Sequence, residues 1–247
     1  MVELQKGGLK ARFARNAADV TAAQALRFQS FRTGDAVQTL DQDKFDAAAQ
    51  HVLIENIENG RLVCCYRVLF LNDGWEIDQC YSAQYYDLTS FRKFDFPMVE
   101  MGRFCIDAEF QGADVLRLAW GFLTRFVREH NVEMLFGCSS FHGVEPEEFQ
   151  DTFAYLGANF LAPKAWRPAV KAAKVHCFSE LKPANGPDFR RALKGMPTLL
   201  RTYLAMGGRV SDHAVIDAEL NTLHVFTGLI VKGIPAARVK ILEGMSM

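Results

Sequence analysis

The chain has 247 residues, 49% of them apolar, and 28 basic against 29 acidic side chains leave a formal net charge of −1. This is an ordinary soluble globular composition; no run approaches the roughly 18 uncharged apolar residues of a membrane span, and the first twenty residues lack the apolar core and small-residue cleavage site of a signal peptide. Cysteines 64, 65, 80, 105, 138 and 177 show neither a CxxC pair nor paired Cys/His metal spacing, so reduced, mostly buried thiols in the cytoplasm are expected, with no metal.

Leu9–Arg15 reads as a first strand, with Leu9, Ala11 and Phe13 alternating against Lys10 and Arg12. Asn16–Asp19 offers a helix start, and Val20, Ala23, Leu26, Arg27 and Phe31 carry helical spacing up to a stop at Gly34. Residues 34–50 form a polar loop with Asp41, Asp43 and Asp46 around Phe45. His51–Asn56 and Leu62–Leu71 are strands joined through Glu58-Asn59-Gly60, a strong hairpin signal. Arg67 sits mid-strand among apolar residues and needs a partner, because an unpaired buried charge is strongly destabilising. Residues 72–97 are aromatic-rich and irregular, with one short helix over Ala83–Arg92.

Met98–Ile106 is the central strand and carries Glu100 and Arg103. Asp114–His130 is an amphipathic helix with Asp114, Arg117, Gly121, Thr124 and Arg128 on its polar face. Val132–Gly137 is a buried strand leading into a polar loop at Cys138-Ser139-Ser140. This βαβ unit should cross over right-handed, and ligands in such sheets collect near strand ends, where Glu100–Arg103 and Cys138–Phe141 meet. A helix over Pro146–Leu156 and strands at Val175–Ser179 and Leu223–Val231 follow. The order predicts an α/β fold in a single domain, a mixed sheet flanked by helices, with a basic C-terminal elaboration from about residue 160. Residues 160–209 hold ten Lys or Arg against Glu180 and Asp188, a local +8 that makes the remainder acidic. Such asymmetry points to an anionic partner, an acidic protein or a phospholipid surface, with no nucleic acid.

Several stretches then stand together: Gln24-Ala25-Leu26-Arg27-Phe28 with Phe31; Asp43 to Asp46; Tyr66-Arg67-Val68-Leu69; Glu100-Met101-Gly102-Arg103-Phe104-Cys105; Gly137-Cys138-Ser139-Ser140-Phe141-His142-Gly143; and Pro197 to Leu204. With the element order they resemble the GNAT acyltransferase superfamily. Within it, over about residues 8–231, the chain is similar to the bacterial ornithine N-acyltransferases, which make lyso-ornithine lipid from acyl-acyl carrier protein. Some of these relatives acylate glutamine instead. The related acyl-homoserine-lactone synthases share Arg27, Phe31, Asp43, Asp46, Arg67, Glu100 and Arg103 in similar places and give the alternative reading; a non-catalytic acyl-carrier-binding module is a third. One departure is Ala49-Gln50-His51-Val52-Leu53, where the family commonly has Cys-Asp-His-Leu-Leu, so position 50 lacks a carboxylate.

The resemblance implies roles. Amide formation from a thioester needs a deprotonated amine, and Glu100, among Met98, Met101 and Phe104, suits a general base; the alternative is a structural pairing with Arg67 or Arg103. Arg27, Arg67 and Arg103 are candidates for a bound carboxylate or for ordering the pocket, Asp43 and Asp46 for an ammonium group, Phe31 for the substrate pocket, and His51 for a second base. Amides at Phe104, Cys105 and Ile106 are implied as oxyanion donors, with Cys138, Ser139, Ser140 and Phe141 beside the acyl-pantetheine arm. An acyl-cysteine on Cys105 or Cys138 lacks a His/Asp partner at suitable spacing. No bound cofactor is expected. Glu109–Asp114 holds one glycine, Gly112, and an acid at the helix entry, poor for coenzyme A pyrophosphate. An acyl donor on the phosphopantetheine of an acidic acyl carrier protein, docked on the basic 160–209 segment, fits better, with peripheral contact to the inner membrane as a further expectation.

Overall fold

The structure is a computed structural model that describes residues 3–31, 39–110, 112–180 and 186–246; Gly34, Gln111 and Lys182 lie outside them. The first half runs β1 Leu4–Lys6, β2 Leu9–Phe13, α1 Ala17–Phe31, β3 Gln50–Asn56, β4 Leu62–Leu71, β5 Tyr86–Asp87, β6 Met98–Ile106 and α2 Ala113–Glu129. The second runs β7 Met134–His142, α3 Gln150–Asn159, β8 Ala169–Val170, β9 Val175–Cys177, α4 Phe189–Gly195, α5 Thr198–Ala205, β10 Arg209–Val210, β11 His213–Asp217, β12 Thr222–Ile230 and α6 Ala236–Ser246. Packing separates two units, residues 1–70, 101–132 and 235–247 in one, 71–100 and 133–234 in the other. Strand β6 contributes its first three residues to the second unit and the rest to the first.

In the first unit the strands lie in the order β1-β2-β3-β4-β6. The β3–β4 hairpin closes as predicted: Gly60, at φ +69°, takes the left-handed turn conformation that glycine adopts without strain. Its register sets His51 directly opposite Arg67, so both side chains share one face. At the start of α1, the Asn16 side chain accepts from the Asp19 N–H at 3.0 Å, and the Asp19 carboxylate binds Arg12 of β2 at 2.6 and 2.9 Å. Gly121, read from the sequence as part of the polar face of α2, is buried. A Cβ there would lie 2.3 Å from the Met245 carbonyl, so the missing side chain is what lets α6 pack against α2.

In the second unit the order is β6-β7-β12-β11-β9, with β10 also on β12. β6 and β7 pair in parallel, as a βαβ connection requires, and the β7–β12, β11–β12 and β9–β11 pairs are antiparallel. The sheet is therefore mixed, as expected. One face buries Phe141, Leu223 and Val225 against Phe153 and Leu156 of α3 and Leu200 and Leu204 of α5.

Three expectations need correction. Cys138-Ser139-Ser140 is not a loop: β7 continues to His142 because β12 offers an unbroken ladder from Ile230↔Met134 to Thr222↔His142. Ala83–Arg92 is not one helix; the backbone makes 3₁₀ turns at Ser82–Gln84 and Thr89–Lys93, separated by β5, whose Tyr86 pairs with Val170. The helix predicted from Pro146 begins with a 3₁₀ turn over Pro146–Phe149 and becomes α3 only at Gln150. The short elements β10, β11, α4, α5 and α6 carry too little periodicity to be read in advance.

Candidate active site

Two polar groups stand out, one in each unit, and β6 supplies a member of each. In the first unit the array joins α1, the loop before β3, β4 and β6. Arg27 donates through Nε to Asp41 at 2.8 Å and through Nη1 to Asp46 at 2.7 Å. Arg67 bridges Asp43, at 2.5 and 2.7 Å, to Asp46, at 2.6 Å. Arg103 closes the ring with Asp41 at 3.0 Å and Asp43 at 3.1 Å, and Gln24 adds an amide N–H to Asp46 at 2.9 Å. Three arginines thus meet three aspartates. Side-chain exposure runs from 1% for Arg27 to 18% for Asp43, so the charges hold one another away from water, and removing any one strands its partners.

Burial alone would push the Asp46 and Asp43 carboxyls up, but the hydrogen bonds and charge of Arg27 on Asp46, and of Arg67 on Asp43, outweigh it and hold both below the usual carboxylate range. The array therefore joins Arg27, Asp43, Asp46, Arg67 and Arg103 from the sequence reading, and adds Asp41 and Gln24. Phe31 lies nearby on α1, half-buried against the Ala23, Leu26, Leu53, Cys65 and Cys105 cluster. Arg103 itself sits at φ +53° inside a strand. An arginine in the left-handed region stores about 1–3 kcal/mol of strain, which the bonds to Asp41 and Asp43 hold in place. Among the described residues, the other two non-glycine positions with positive φ are asparagines, which tolerate it well.

In the second unit the Glu100 carboxylate accepts three hydrogen bonds: from the Tyr81 N–H at 2.8 Å, and from the Ser82 N–H and hydroxyl at 2.7 and 2.6 Å. Glu100 is 5% exposed and Ser82 fully buried. Where the sequence shows only apolar neighbours, the fold brings three donors that complement an ionised carboxylate. The Ser82 hydroxyl also contacts the Cys138 thiol at 3.4 Å, linking β6 to β7. The β6–β7 ladder ends at Glu100↔Phe136, three residues before Arg103 and earlier than the Phe104–Ile106 stretch that the resemblance implied. Phe104 stacks on Tyr66 at 5.5 Å, Ile106 is half-buried, and the buried Cys105 thiol lies 3.4 Å from that of Cys65. Strand alternation divides the Cys138–Phe141 group. Ser139 accepts from the Thr227 hydroxyl at 2.9 Å and Phe141 enters the core, while Ser140 is exposed.

A sequence model of the acetyltransferase (GNAT) domain matches residues 26–121, which carry the three arginines and three aspartates of the array and Glu100. The L-ornithine N(alpha)-acyltransferase of Rhodobacter capsulatus is 32% identical over 229 residues, 87% of this chain and 86% of the relative. The chain belongs to the ornithine N-acyltransferase family. It is an acyltransferase of GNAT fold. The enzyme of the same name from Brucella abortus is 29% identical, over 89% of this chain and 83% of its own length. Among solved structures, FeeM, an N-acyl amino acid synthase from uncultured soil microbes, superposes with a TM-score of 0.53 at 11% identity, covering 94% of this chain and 98% of its own. At that identity it attests the fold.

Sequence reasoning missed Tyr81, Ser82 and Asp41 as members of these groups. Ser82 and Tyr81 gave no signal, being ordinary residues in an irregular segment. Asp41 did: it is the third acid of a cluster already singled out. The basic segment is exposed along Lys164, Lys171, Lys174, Arg190, Arg191, Lys194, Arg201 and Arg209, and α4 presents Arg190, Arg191 and Lys194 beside Phe189, itself 56% exposed. Among the described residues no helix is long and apolar enough to cross a membrane.

Proposed function

We propose that this acyltransferase moves a long, 3-hydroxylated acyl chain from the phosphopantetheine thioester of an acyl carrier protein to the α-amine of ornithine, giving lyso-ornithine lipid. The observation that carries the reading is the similarity to a named ornithine acyltransferase over most of both chains, with Glu100 buried and held in place at the end of the β6–β7 ladder. In this reading Glu100 takes a proton from the α-ammonium, directly or through water. The neutral amine attacks the thioester carbonyl, the C–S bond breaks as the amide forms, and the departing pantetheine sulfur takes up a proton. Backbone N–H groups of β6 past the end of the ladder stabilise the oxyanion. The arginine–aspartate array supplies fixed charge within the first unit. The exposed cations of α4 and its neighbours receive the acidic carrier, and the same face lies against the anionic inner membrane where the lipid product is delivered.

The test is thiol release from 3-hydroxyacyl carrier protein with ornithine, glutamine, S-adenosylmethionine or no acceptor. Release with ornithine is the expected result. Release with glutamine alone changes the acceptor, and release with S-adenosylmethionine and a lactone product replaces this reading by homoserine-lactone synthesis.

A further inference from the structure

Two thiols that the proposed reaction leaves idle touch inside the first unit. The Asp107 N–H bonds the Val63 carbonyl at 2.9 Å and Phe104 stacks on Tyr66, so β6 runs antiparallel to β4 and Cys105 stands opposite Cys65. Both thiols are free and buried, Cys65 1% and Cys105 5% exposed, and their sulfurs lie 3.4 Å apart. Strand alternation turns the neighbouring Cys64 to the other side of β4. A disulfide needs the two sulfurs to close to about 2.05 Å, and at van der Waals contact nothing stands between them.

The pair is unequal. Contact with the Cys65 thiol, helped by Ser30 and by the charge of Arg27, outweighs burial and holds the Cys105 thiol below the ordinary thiol range. The same contact, with burial, pushes Cys65 up. In the neutral pair the Cys65 S–H reaches the Ala23 carbonyl at 3.5 Å; once Cys105 is a thiolate, that S–H turns to it. Ser30, which meets Cys105 from α1, is exposed. A more acidic thiol with a second thiol in contact is the arrangement of an attacking and a resolving cysteine.

We infer that Cys65 and Cys105 form a site of reversible oxidation whose substrate is hydrogen peroxide and whose product, an intrachain disulfide tying β4 to β6, slows acyl transfer. The Cys105 thiolate attacks the peroxide, the O–O bond breaks, and a sulfenic acid forms while the departing hydroxide takes up the proton that Cys105 released. The Cys65 sulfur then attacks Cys105, the S–O bond breaks, and a second water leaves with the Cys65 proton. Two thiols give up two electrons and two protons, and one peroxide becomes two waters. Arg67 and Arg103 lie two residues further along the same strands and share Asp43, and Cys105 belongs to the stretch of β6 whose N–H groups the proposed reaction uses. Drawing the strands together displaces that stretch. The slowing rests on the proposed acyl transfer; the thiol chemistry stands apart from it.

The experiment treats the full chain with hydrogen peroxide, maps its thiols by mass spectrometry without reductant, and measures acyl transfer to ornithine before and after a dithiol, in wild type, Cys64→Ala and Cys65→Ala. Wild type and Cys64→Ala should yield peptides joined through Cys65 and Cys105, lighter by two hydrogens, and Cys65→Ala none. Fragmentation within the Cys64-Cys65 peptide assigns the bond in wild type itself, so the result stands if Cys65→Ala fails to fold. The Cys65 side chain takes no part in the reaction, so Cys65→Ala should keep basal turnover. Peroxide should lower kcat/KM of wild type about tenfold or more, within the about hundredfold that a misplacement near an ångström costs, with recovery on reduction and no loss in Cys65→Ala. No joined pair, or a pair joined through other cysteines, overturns the site. A joined pair with unchanged transfer overturns the slowing, and so does an equal loss in Cys65→Ala, which would place the damage at another thiol such as Cys138. If the reduced enzyme transfers to no acceptor, the reading of the reaction fails and the joined pair alone decides the oxidation site.

Discussion

At the residue scale the arginine–aspartate array shows how buried charge becomes stable by mutual completion. Arg67 sits among Tyr66, Val68 and Leu69, and its need for a counter-charge is visible in the sequence. Its partners, Asp43 and Asp46, lie more than twenty residues away, and no local pattern names them. Asp46→Asn should therefore destabilise the protein by about 3 kcal/mol at neutral pH, the scale of a broken buried ion pair, seen as a lower Tm. The pH sign follows from the folded carboxyls of Asp43 and Asp46 lying below their unfolded range near 3.9. Their contribution is complete above that range and is lost as pH falls through the lower folded values. Wild-type Tm should be nearly flat from these groups between pH 7 and 5 and fall below about pH 4, with a shallower acid limb in Asp46→Asn. Glu100 calls for a different readout. Glu100→Gln keeps the shape but removes the proposed base, and should lower kcat by about a hundredfold or more with KM for ornithine little changed; unchanged kcat would make the clamp on Glu100 structural.

Among the elements, α2 and β7 give opposite lessons. The amphipathic pattern of α2 is strong enough to read to within a residue at each end, at Ala113–Glu129. What it hides is Gly121, which looks like a polar-face position and is a contact with α6. Gly121→Ala should displace the C-terminal helix and lower stability by about 1–3 kcal/mol, an overpacking effect, measured by urea unfolding and by faster proteolysis at α6. In β7 the sequence changes from apolar to small and polar at Gly137-Cys138-Ser139-Ser140, which looks like the end of a strand. The strand continues because nine residues of β12 pair with it, and pairing energy from a distant segment overrides local composition. Only with that alternation in place do Cys138 and Ser139 face opposite ways, one toward Ser82 and the other toward Thr227.

For the molecule as a whole, a charge near zero conceals a basic segment and an acidic remainder. Replacing Arg190, Arg191 and Lys194 of α4 by glutamate should reduce kcat/KM for acyl carrier protein tenfold or more, with a steep salt dependence in wild type that the triple variant loses. Turnover of an acyl-pantetheine thioester without the protein carrier should stay the same; equal loss on both substrates would place these cations elsewhere in the reaction. By itself the sequence determined the class of fold, the central strand with Glu100 and Arg103, the hairpin at Gly60 and the uneven charge, because periodicity, turn chemistry and composition are written locally along the chain. The tertiary structure alone decided which charges neutralise which, and that Tyr81 and Ser82 hold Glu100. Those outcomes depend on strand register and loop return across tens of residues, where each contact is set by the packing of every segment between.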